Sequence, residues 1–326
     1  MIRTGVVGVG YMGQNHARIY SELSTLVGIY DVDLQHAQTV AQRFRTRAYS
    51  DVESLLRDVD AVSICAPTAD HFSLASIAIR NGTSVLLEKP FTGDSKKAAQ
   101  LGREAEKEGV VLAGGFVERF NPVVKAAKEA LKEGKFGKLI SISSRRVSSF
   151  PKRIKDVGVV MDLGIHDIDV IRYITSSEIR SVFGMGGKFA NDKFEDHASL
   201  LLELESGVTG HVETNWLTPM KVRKVSMTCS GGYVQLDYID QTLEVSSAQI
   251  GEIDPGNMFQ VPLEFDIRRI ALKKEEPLRR EIEDFIGAVE LSGQATVSAM
   301  DAVMDLKVCE AAIRSIIENR KVEINL

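Results

Sequence analysis

The residues that point most directly to chemistry stand near the start of the chain. Gly8–Gly13, with the sequence GVGYMG, follows an apolar run over Ile2–Gly8 and precedes a helix-like run. Glycines at this spacing allow a tight turn and let the backbone approach a pyrophosphate, which the free N–H groups of the next helix can bind. Asp31 ends the next apolar stretch, eighteen residues past Gly13, where a carboxylate can accept hydrogen bonds from an adenosine ribose. The pattern predicts a dinucleotide site, and a glycine-rich turn without function is the alternative.

Polar residues also follow two later strands predicted for the same sheet. Ala66–His71 follows a strand over Asp60–Ala66, and Glu88-Lys89-Pro90 follows a strand over Ser84–Leu87. Because parallel strands end on one edge of a sheet, where ligands bind, we expect both segments beside the dinucleotide. The predicted cofactor-binding residues are Gly8, Gly10, Tyr11, Met12, Gly13, Asp31, Ala66, Pro67, Thr68, His71, Glu88 and Lys89.

Three of the candidate residues suit chemistry at an alcohol. Lys89 at a strand end can hydrogen-bond a substrate oxygen and stabilise negative charge that develops on it. Asp162 and His166 are four residues apart, so on a helix they share one face, and a carboxylate beside an imidazole orients the ring. Taken singly, Lys89 can be a solvated surface charge, Asp162 a helix N-cap and His166 a structural histidine.

Composition limits the class of protein. The 326 residues carry a formal net charge of −5, which argues against nucleic acid as the main partner. No run of eighteen apolar residues is present, so no membrane span is predicted. Cys65, Cys229 and Cys309 form no paired motif, and the six histidines form no metal-binding motif. We expect a cytoplasmic, disulfide-free protein without a metal centre.

The elements that must position these residues fall into two parts. Apolar strands alternate with helices up to about residue 120, which predicts a parallel sheet covered on both faces. From residue 121 onward, runs with period-two alternation are joined by short turns such as Ser206-Gly207, which favours antiparallel hairpins. A chain of 326 residues exceeds the usual size of one core. We therefore predict domains over 1–120 and 121–326, the second an α+β domain with a large, mainly antiparallel open sheet.

The second sheet is also the candidate surface for self-association. The predicted closing helices, Glu276–Leu291 and Ser298–Asn319, are too few to cover both of its faces. An uncovered sheet face of this size favours contact with another copy of the chain. We expect a homo-oligomer, either a dimer or a tetramer, formed through this sheet.

Four segments together carry a family resemblance. Gly8–Arg18, Ala66–His71, Glu88-Lys89-Pro90 and Asp162-x-x-x-His166 occur in this order and at spacings that resemble the glucose–fructose oxidoreductase/inositol dehydrogenase/MocA family of NAD(P)-dependent oxidoreductases. The resemblance covers essentially the whole chain. It implies an α/β fold with an N-terminal Rossmann domain, a doubly wound parallel sheet, and activity on the CH–OH group of sugars or polyols.

The resemblance also implies roles for individual residues. Lys89 would be the catalytic lysine, His166 the proton-transferring residue and Asp162 its substrate-positioning partner. The peptide bond after Lys89 is expected to be cis. Many members carry a glycine pair just before the Asp-x-x-x-His segment, where this chain has Val159-Val160. We expect this departure to change the shape of the substrate mouth and to leave the catalytic pair intact.

A narrower resemblance concerns the branch of UDP-N-acetylglucosamine 3-dehydrogenases. It rests on Glu118–Pro122, Asn215–Lys224 and Tyr238–Gln241. A nucleotide sugar carries a diphosphate, which guanidinium groups bind in bidentate fashion. The cationic candidates for this role are Arg119, Arg153, Lys221 and Arg223. For the cluster at 221–224, charges that protect a sheet edge from aggregation are an equal alternative. The predicted substrate-binding residues are Lys89, Arg119, Asn121, Asp162 and His166.

The favoured reaction is transfer of a hydride between a secondary hydroxyl, the 3-hydroxyl of UDP-N-acetylglucosamine, and a nicotinamide. NAD is preferred to NADP because Asp31 would repel a 2′-phosphate, although Arg43 or Arg45 leaves NADP possible. The alternatives are an inositol or aldose dehydrogenase and an NAD-dependent glycosidase. A dinucleotide-binding sensor or scaffold without turnover is the alternative that is not an enzyme.

Overall fold

The computed structural model describes residues 1–151, 156–250 and 263–325. Contacts between residues divide the chain into two compact units. The first consists mainly of Met1–Phe120 and Glu276–Glu310, and the second of most described residues from Asn121 to Glu275 with the chain from Ala311 onward. The division at 120 and 121 that the sequence predicts thus recurs, but 276–310 belongs to the first unit rather than to the second.

The first unit is a parallel sheet flanked by helices. Its elements are β1 (Arg3–Val7), α1 (Tyr11–Leu23), β2 (Thr25–Tyr30), α2 (Leu34–Phe44), β3 (Arg47–Tyr49), α3 (Val52–Asp58), β4 (Ala61–Ile64), α4 (Thr68–Arg80), β5 (Ser84–Glu88), α5 (Ser95–Glu108) and β6 (Leu112–Gly115). Within the described chain, six strands pair in parallel in the order β3-β2-β1-β4-β5-β6. The order reverses between β1 and β4, and ligands bind outside the carboxyl ends of strands at such a point.

Burial and capping explain why these segments fold as they do. β4 and β5 are buried along their whole length, as expected for strands with a helix layer on both faces. Asp51 and Asp94 accept hydrogen bonds from N–H groups in the first turns of α3 and α5, and both act as N-caps. Gly109, with a φ of +67°, ends α5 in the left-handed conformation that glycine adopts without strain.

The second unit is built around a larger mixed sheet. Its elements are α6 (Pro122–Lys132), β7 (Leu139–Val147), α7 (Ile165–Thr175), β8 (Ile179–Gly187), β9 (His197–Leu204), β10 (Thr209–Asn215), β11 (Val222–Cys229), β12 (Gly232–Asp237), β13 (Thr242–Ile250) and β14 (Leu263–Ala271). The pairing is antiparallel except between β7 and β10, which run parallel. The predicted α/β fold with a mainly antiparallel second sheet is confirmed.

One face of the second sheet is buried, and the side chains on the other face are half-buried or exposed. Burial alternates along β9 and β10, and α7 contacts β7 and β10 on the packed side. The opposite face is polar in the middle of the sheet, where Arg145 pairs with Glu213 at 3.0 Å and Ser143 lies 3.2 Å from His211. The alternation follows from strand geometry, since successive side chains point to opposite faces.

Two helices and a short strand complete the described chain. They are α8 (Pro277–Glu290), α9 (Ala299–Glu318) and β15 (Val322–Glu323), which pairs with β8. Apolar residues of α8, including Ile282 and Phe285, join the hydrophobic core beside β1 and α1, which is why this segment belongs to the first unit. In the described ranges no helix combines the length and the apolar character needed to cross a bilayer.

Candidate active site

Two glycines of the turn after β1 are required by backbone packing. Gly8 has a φ of +82°, and its N–H donates to the carbonyl of Tyr30 at 2.8 Å. A Cβ atom on Gly8 would lie 2.8 Å from the backbone nitrogen of Ala66. A Cβ atom on Gly13 would lie only 1.9 Å from the carbonyl oxygen of Gly8. The turn therefore brings the end of β1, the end of β4 and the first turn of α1 into direct contact.

Gly10 has the opposite environment. A Cβ atom there would meet no protein atom within 4 Å. Gly10 precedes α1, whose first turn has no side-chain cap and no acidic residue. Tyr11 at the start of α1 is exposed and Met12 is half-buried. Open space beside helix N–H groups at the positive end of the helix dipole suits a phosphate-bearing ligand.

Asp31 fixes the shape of this turn. Its Oδ2 accepts a hydrogen bond from the N–H of Val9 at 2.8 Å, and its Oδ1 accepts one from the N–H of Asp33 at 3.0 Å. Each carboxylate oxygen has two acceptor positions, so these bonds leave acceptor capacity for a ligand hydroxyl. The Nε2 atom of His36 lies 3.0 Å from the carbonyl oxygen of Val9, a contact that the sequence motif does not reveal.

His71 links the ends of β4 and β5. The ring is buried, with Nε2 2.8 Å from the carbonyl oxygen of Ala66 and Nδ1 2.9 Å from that of Pro90. Pro67 directly precedes α4, and Thr68 is its first residue. The structure thus brings the predicted cofactor-binding residues at the ends of β1, β4 and β5 to one edge of the sheet, and His71 holds two of these ends.

Glu88 and Lys89 end β5 with different environments. Glu88 is buried, and its Oε2 accepts a hydrogen bond from the N–H of Lys89 at 3.1 Å, while its Oε1 lies 3.1 Å from Nε2 of His16. Burial raises the pKa of Glu88, but the hydrogen bond and charge of His16 and the charge of Lys89 outweigh it and lower the pKa. Lys89 is half-buried, and its peptide bond to Pro90 is cis, as predicted.

Asp162 and His166 lie in the second unit on one continuous helical segment. Residues Val160–Gly164 form a π-type turn, in which the N–H of Ile165 bonds the carbonyl of Val160. α7 continues directly from this turn, and His166 lies in its first turn. Both side chains are buried, at 5% and 9% exposure. Single π-turns inside helices occur frequently at functional sites.

The regular helix that the sequence predicts at this point therefore begins as a wider turn. The N–H of Asp162 bonds the carbonyl of Gly158 at 3.0 Å. Asp162 is thus inside the turn and is not the N-cap that its residue type also allowed. The N–H groups of Val159 and Val160, at the start of this turn, donate hydrogen bonds to another segment of the second unit.

That segment carries Glu195, which the sequence did not single out. Its backbone carbonyl accepts a hydrogen bond from the N–H of Val159 at 2.9 Å, and its Oε1 accepts one from the N–H of Val160 at 3.1 Å. A Cβ atom on Gly158 would lie 2.1 Å from the same Oε1, so only glycine leaves room for this carboxylate. Burial raises the pKa of Glu195, and the hydrogen bonds from its own N–H and from the N–H of Val160, with the charge of Lys188, offset only part of that effect.

Glu195→Gln is expected to make stability less sensitive to pH. A carboxyl group whose pKa is raised by folding contributes stability below its unfolded pKa and loses that contribution as pH rises through the folded value. Glutamine keeps an oxygen that can accept from Val160 but cannot ionise. The melting temperature of the variant minus that of the parent should therefore increase from pH 4 to pH 8. Glu205→Gln, at an exposed site, controls for the loss of a carboxylate; an opposite trend in Glu195→Gln would contradict the burial argument.

The other predicted substrate-binding residues are engaged by the fold. Arg119 is 4% exposed, and its guanidinium pairs with Asp301 at 2.9 Å. Asn121 is also buried; its Oδ1 accepts from the N–H of Val123 at 3.3 Å, and its Nδ2 donates to the carbonyl of Tyr238 at 3.2 Å. Both side chains thus have structural partners of their own.

The remaining cations predicted for a diphosphate lie in the second unit or outside the described chain. The backbone carbonyl of Arg223 accepts a hydrogen bond from the N–H of Tyr238 at 3.1 Å. Lys224, which belongs to the charged cluster at 221–224 but not to the predicted diphosphate cations, pairs with Asp237 at 3.5 Å. Lys221 is exposed just before β11. Arg153 lies outside the described residues.

Comparison with known proteins matches both units to one family. Residues 2–116 match the model described as "Oxidoreductase family, NAD-binding Rossmann fold", and residues 124–235 match the GFO/IDH/MocA C-terminal domain. The turn after β1 and the residues that end β4 and β5 fall in the first match. Asp162 and His166 fall in the second.

Three relatives show the range of similarity. A UDP-N-acetylglucosamine 3-dehydrogenase from Acidithiobacillus ferrooxidans is 34% identical over 288 residues, 88% of each chain, and a solved structure of that enzyme superposes with a TM-score of 0.86 over 97% of each chain. A myo-inositol 2-dehydrogenase from Thermotoga maritima is 28% identical over 99% of this chain and 98% of its own. GenD2 from gentamicin A biosynthesis, solved in complex with NAD, is 25% identical with a TM-score of 0.84 over 100% of this chain and 97% of that chain. The chain belongs to the GFO/IDH/MocA family of oxidoreductases, and its first unit is the NAD-binding Rossmann fold of that family.

Proposed function

We propose that this protein is an NAD-dependent dehydrogenase that oxidises the 3-hydroxyl of UDP-N-acetylglucosamine. The observation that carries the proposal is the 34% identity to a UDP-N-acetylglucosamine 3-dehydrogenase over 88% of both chains. Two features of this chain support it. Asp162 and His166 are buried on one helical segment, and Lys89 directly follows β5 at the edge of the parallel sheet.

The turn after β1 fits the cofactor. The space beside Gly10 and the uncapped start of α1 suit a pyrophosphate, while Asp31 retains acceptor capacity for a ribose hydroxyl. When bound, the nicotinamide supplies the redox chemistry by accepting a hydride from the substrate carbon. NAD rather than NADP is favoured because the carboxylate of Asp31 would repel a 2′-phosphate. Arg43, which lies 3.5 Å from the side chain of Gln14, and Arg45 are the two cations that could relax this preference.

The three remaining roles belong to side chains of this protein. His166 accepts the proton of the secondary hydroxyl, and Asp162 orients the imidazole and the substrate. The ammonium of Lys89 stabilises the negative charge that develops on the same oxygen as the proton leaves. These roles place the proton on His166 and the developing charge beside Lys89, with no group from the solvent needed.

A substrate panel tests the proposal. UDP-N-acetylglucosamine, UDP-glucose, myo-inositol and glucose would each be assayed for NADH formation, and the best substrate again with NADP. We expect kcat/KM for UDP-N-acetylglucosamine to exceed the others by at least about tenfold, the effect of a few lost polar contacts. We also expect NAD to be preferred to NADP. A higher kcat/KM for a substrate without a nucleotide would contradict the nucleotide-sugar assignment.

The second candidate is an inositol dehydrogenase. The Thermotoga maritima relative and a scyllo-inositol 2-dehydrogenase from Bacillus subtilis each match over 99% or more of this chain, at 28% and 27% identity. The structural partners of Arg119 and Asn121 favour this candidate, since they remove two groups expected to bind a nucleotide sugar. Preferential turnover of an inositol in the same panel would select it. NADH that fails to accumulate while a glycoside is cleaved would indicate an NAD-dependent glycosidase.

Two glycine substitutions separate packing from cofactor binding. Gly13→Ala should lower both the melting temperature and the affinity for NADH, because the added Cβ atom collides with the carbonyl of Gly8. Gly10→Ala adds the same atom into open space, so the melting temperature should stay within about 1 °C while NADH affinity falls about tenfold or more. Thermal melting and NADH fluorescence titration measure the two effects. Unchanged NADH affinity in Gly10→Ala would mean that the pyrophosphate does not approach this turn.

We also propose a homo-oligomer formed through the second sheet. On the face that carries Ser143, Arg145 and Glu213, the side chain of Arg145 is exposed and the other two residues are half-buried. A sheet face of this kind is a common site of contact with another copy. The free thiols of Cys65, Cys229 and Cys309 fit a cytoplasmic location for this assembly.

A further inference from the structure

A buried polar cluster in the first unit includes Glu88, the residue that precedes Lys89. We call it the His16 cluster, and its members are His16, Tyr20, Ser63, Glu88 and Glu281. The Nδ1 atom of His16 lies 2.9 Å from Oγ of Ser63, which in turn lies 2.7 Å from the hydroxyl of Tyr20. On its other side, Nε2 of His16 lies 3.1 Å from Glu88. These contacts connect α1, β4 and β5, three of the elements that meet at the predicted cofactor edge.

The cluster brings three ionisable side chains close together in the buried interior of the first unit. His16, Glu88 and Glu281 each offer a nitrogen or oxygen atom within 4.8 Å of the others, and all three residues are buried. Two carboxylates this close cannot both be buried as anions without a balancing positive charge. Burial also raises the pKa of the neighbouring Cys65 thiol well above its usual range, and the charges of Glu88 and Glu281 add to that effect. The imidazole of His16 is the group that contacts Glu88 from α1, at 3.1 Å.

The cluster contacts Lys89 through a hydrogen bond between the side chain of Glu88 and the backbone of Lys89. One oxygen of Glu88 faces His16, and the other accepts the N–H of Lys89 at 3.1 Å. The position of the Lys89 backbone is therefore tied to α1, whose N-terminus lies at the glycine turn. A displacement of about 1 Å of a reacting group can cost about 10²-fold in rate, so a fixed backbone at this residue matters for the reaction.

We propose that His16 and Glu88 are positioning residues that hold Lys89 for the hydride-transfer reaction. The proposal rests on the catalytic role of Lys89 in the proposed function. His16 fixes one oxygen of Glu88, and Glu88 fixes the amide of Lys89 with the other. Neither residue contacts the reacting atoms in this assignment. The side chains of His16, Glu88 and Glu281 are of types that bind metal ions, and a bound metal is the competing explanation.

The test uses substitutions that keep shape. Glu88→Gln and His16→Gln would be compared with Glu310→Gln, since Glu310 also accepts a backbone N–H, that of Ser95 at 2.6 Å, in the same unit. We expect Glu88→Gln and His16→Gln to lower kcat about 10- to 100-fold. The dissociation constant for NADH should stay within about threefold of the parent in His16→Gln, since His16 is not among the predicted cofactor-binding residues. The primary deuterium isotope effect on kcat should rise, because hydride transfer becomes slower relative to product release. Glu310→Gln should keep kcat within about threefold.

Three outcomes would overturn the inference. An unchanged kcat in Glu88→Gln and His16→Gln would show that Lys89 does not need these residues. A loss of kcat with no rise in the isotope effect, in parallel with a lower melting temperature, would mean that the cluster only stabilises the fold. Restoration of parent activity by Zn²⁺ after treatment with a chelator would assign the cluster to a metal. Lys89→Met assayed beside them separates this inference from the proposed function: if that variant keeps full turnover, it is the role of Lys89 itself that fails.

Discussion

Lys89→Met is expected to lower kcat for sugar oxidation by at least ~10²-fold, the cost of losing a charge contact that stabilises a developing alkoxide. Methionine keeps an unbranched side chain of similar length, so the half-buried stem of Lys89 keeps most of its packing. The dissociation constant for NADH should change by less than about threefold, because we expect the pyrophosphate contacts at the turn after β1. Steady-state kinetics and NADH fluorescence titration measure the two quantities.

The same substitution at an exposed lysine provides the matched control. Lys96 lies in the first turn of α5, seven positions from Lys89, and is exposed. Lys96→Met should leave kcat within about twofold of the parent, as expected for a surface substitution away from the site. Turnover in Lys89→Met that equals turnover in Lys96→Met would remove Lys89 from the mechanism.

His166→Asn is expected to lower kcat by ~10²–10⁴-fold, the usual contribution of a positioned proton-transfer residue. Asparagine can hydrogen-bond the hydroxyl but cannot accept its proton at neutral pH. The loss should therefore depend on the substrate: an alternative substrate with a more acidic hydroxyl should recover part of the rate. NADH affinity should be retained, because His166 belongs to the second unit rather than to the Rossmann fold.

His211→Asn is the control for this substitution. His211 lies on β10 in the same unit and contacts Ser143 at 3.2 Å on the open face of the sheet. It should retain parent kcat. A uniform loss in His166→Asn for every substrate, whatever the acidity of its hydroxyl, would argue against proton transfer and for a loss of structure at the start of α7.

The sequence predicts most of the first unit because its strands are short apolar runs between helix signals. The strand observed over Ser84–Glu88 matches the predicted strand over Ser84–Leu87 closely, since charged residues follow it directly. β3 was not predicted, because a three-residue edge strand carries too little periodicity. β14 was not predicted either, because Arg268 and Arg269 interrupt the apolar pattern that a buried strand would show. α8 was predicted to belong to the second unit but packs in the first, because an apolar helix face alone does not indicate which core it joins.

In the candidate site, features set by neighbouring residues could be predicted from the sequence, whereas contacts between distant residues could not. The glycine spacing is local, and the structure gives Gly8, Gly10 and Gly13 distinct packing reasons. The contact between Glu195 and the turn at Val160 joins residues far apart in sequence, and no residue pattern near either one indicates it. His16 stands inside the quoted motif, yet its contact with Glu88 of β5 becomes visible only when α1 is packed against the parallel sheet.

The substrate-binding expectation for Arg119 illustrates why position in the chain is not enough. The residue does follow the last strand of the first sheet, as the prediction required. Its guanidinium, however, is almost fully buried and pairs with Asp301 near the start of α9. A buried arginine with a carboxylate partner stabilises the fold and would leave that carboxylate uncompensated if it turned to bind a phosphate.

The central claim is that Lys89 and His166 act on the same hydroxyl group. A crystal structure of the protein with NADH and the substrate selected by the panel tests it most directly. We predict that Nζ of Lys89 and one imidazole nitrogen of His166 both lie within about 3.2 Å of the oxygen on the carbon that faces the nicotinamide. A complex in which these two groups open into separate cavities, with the substrate oxygen contacted by only one of them, would contradict the claim.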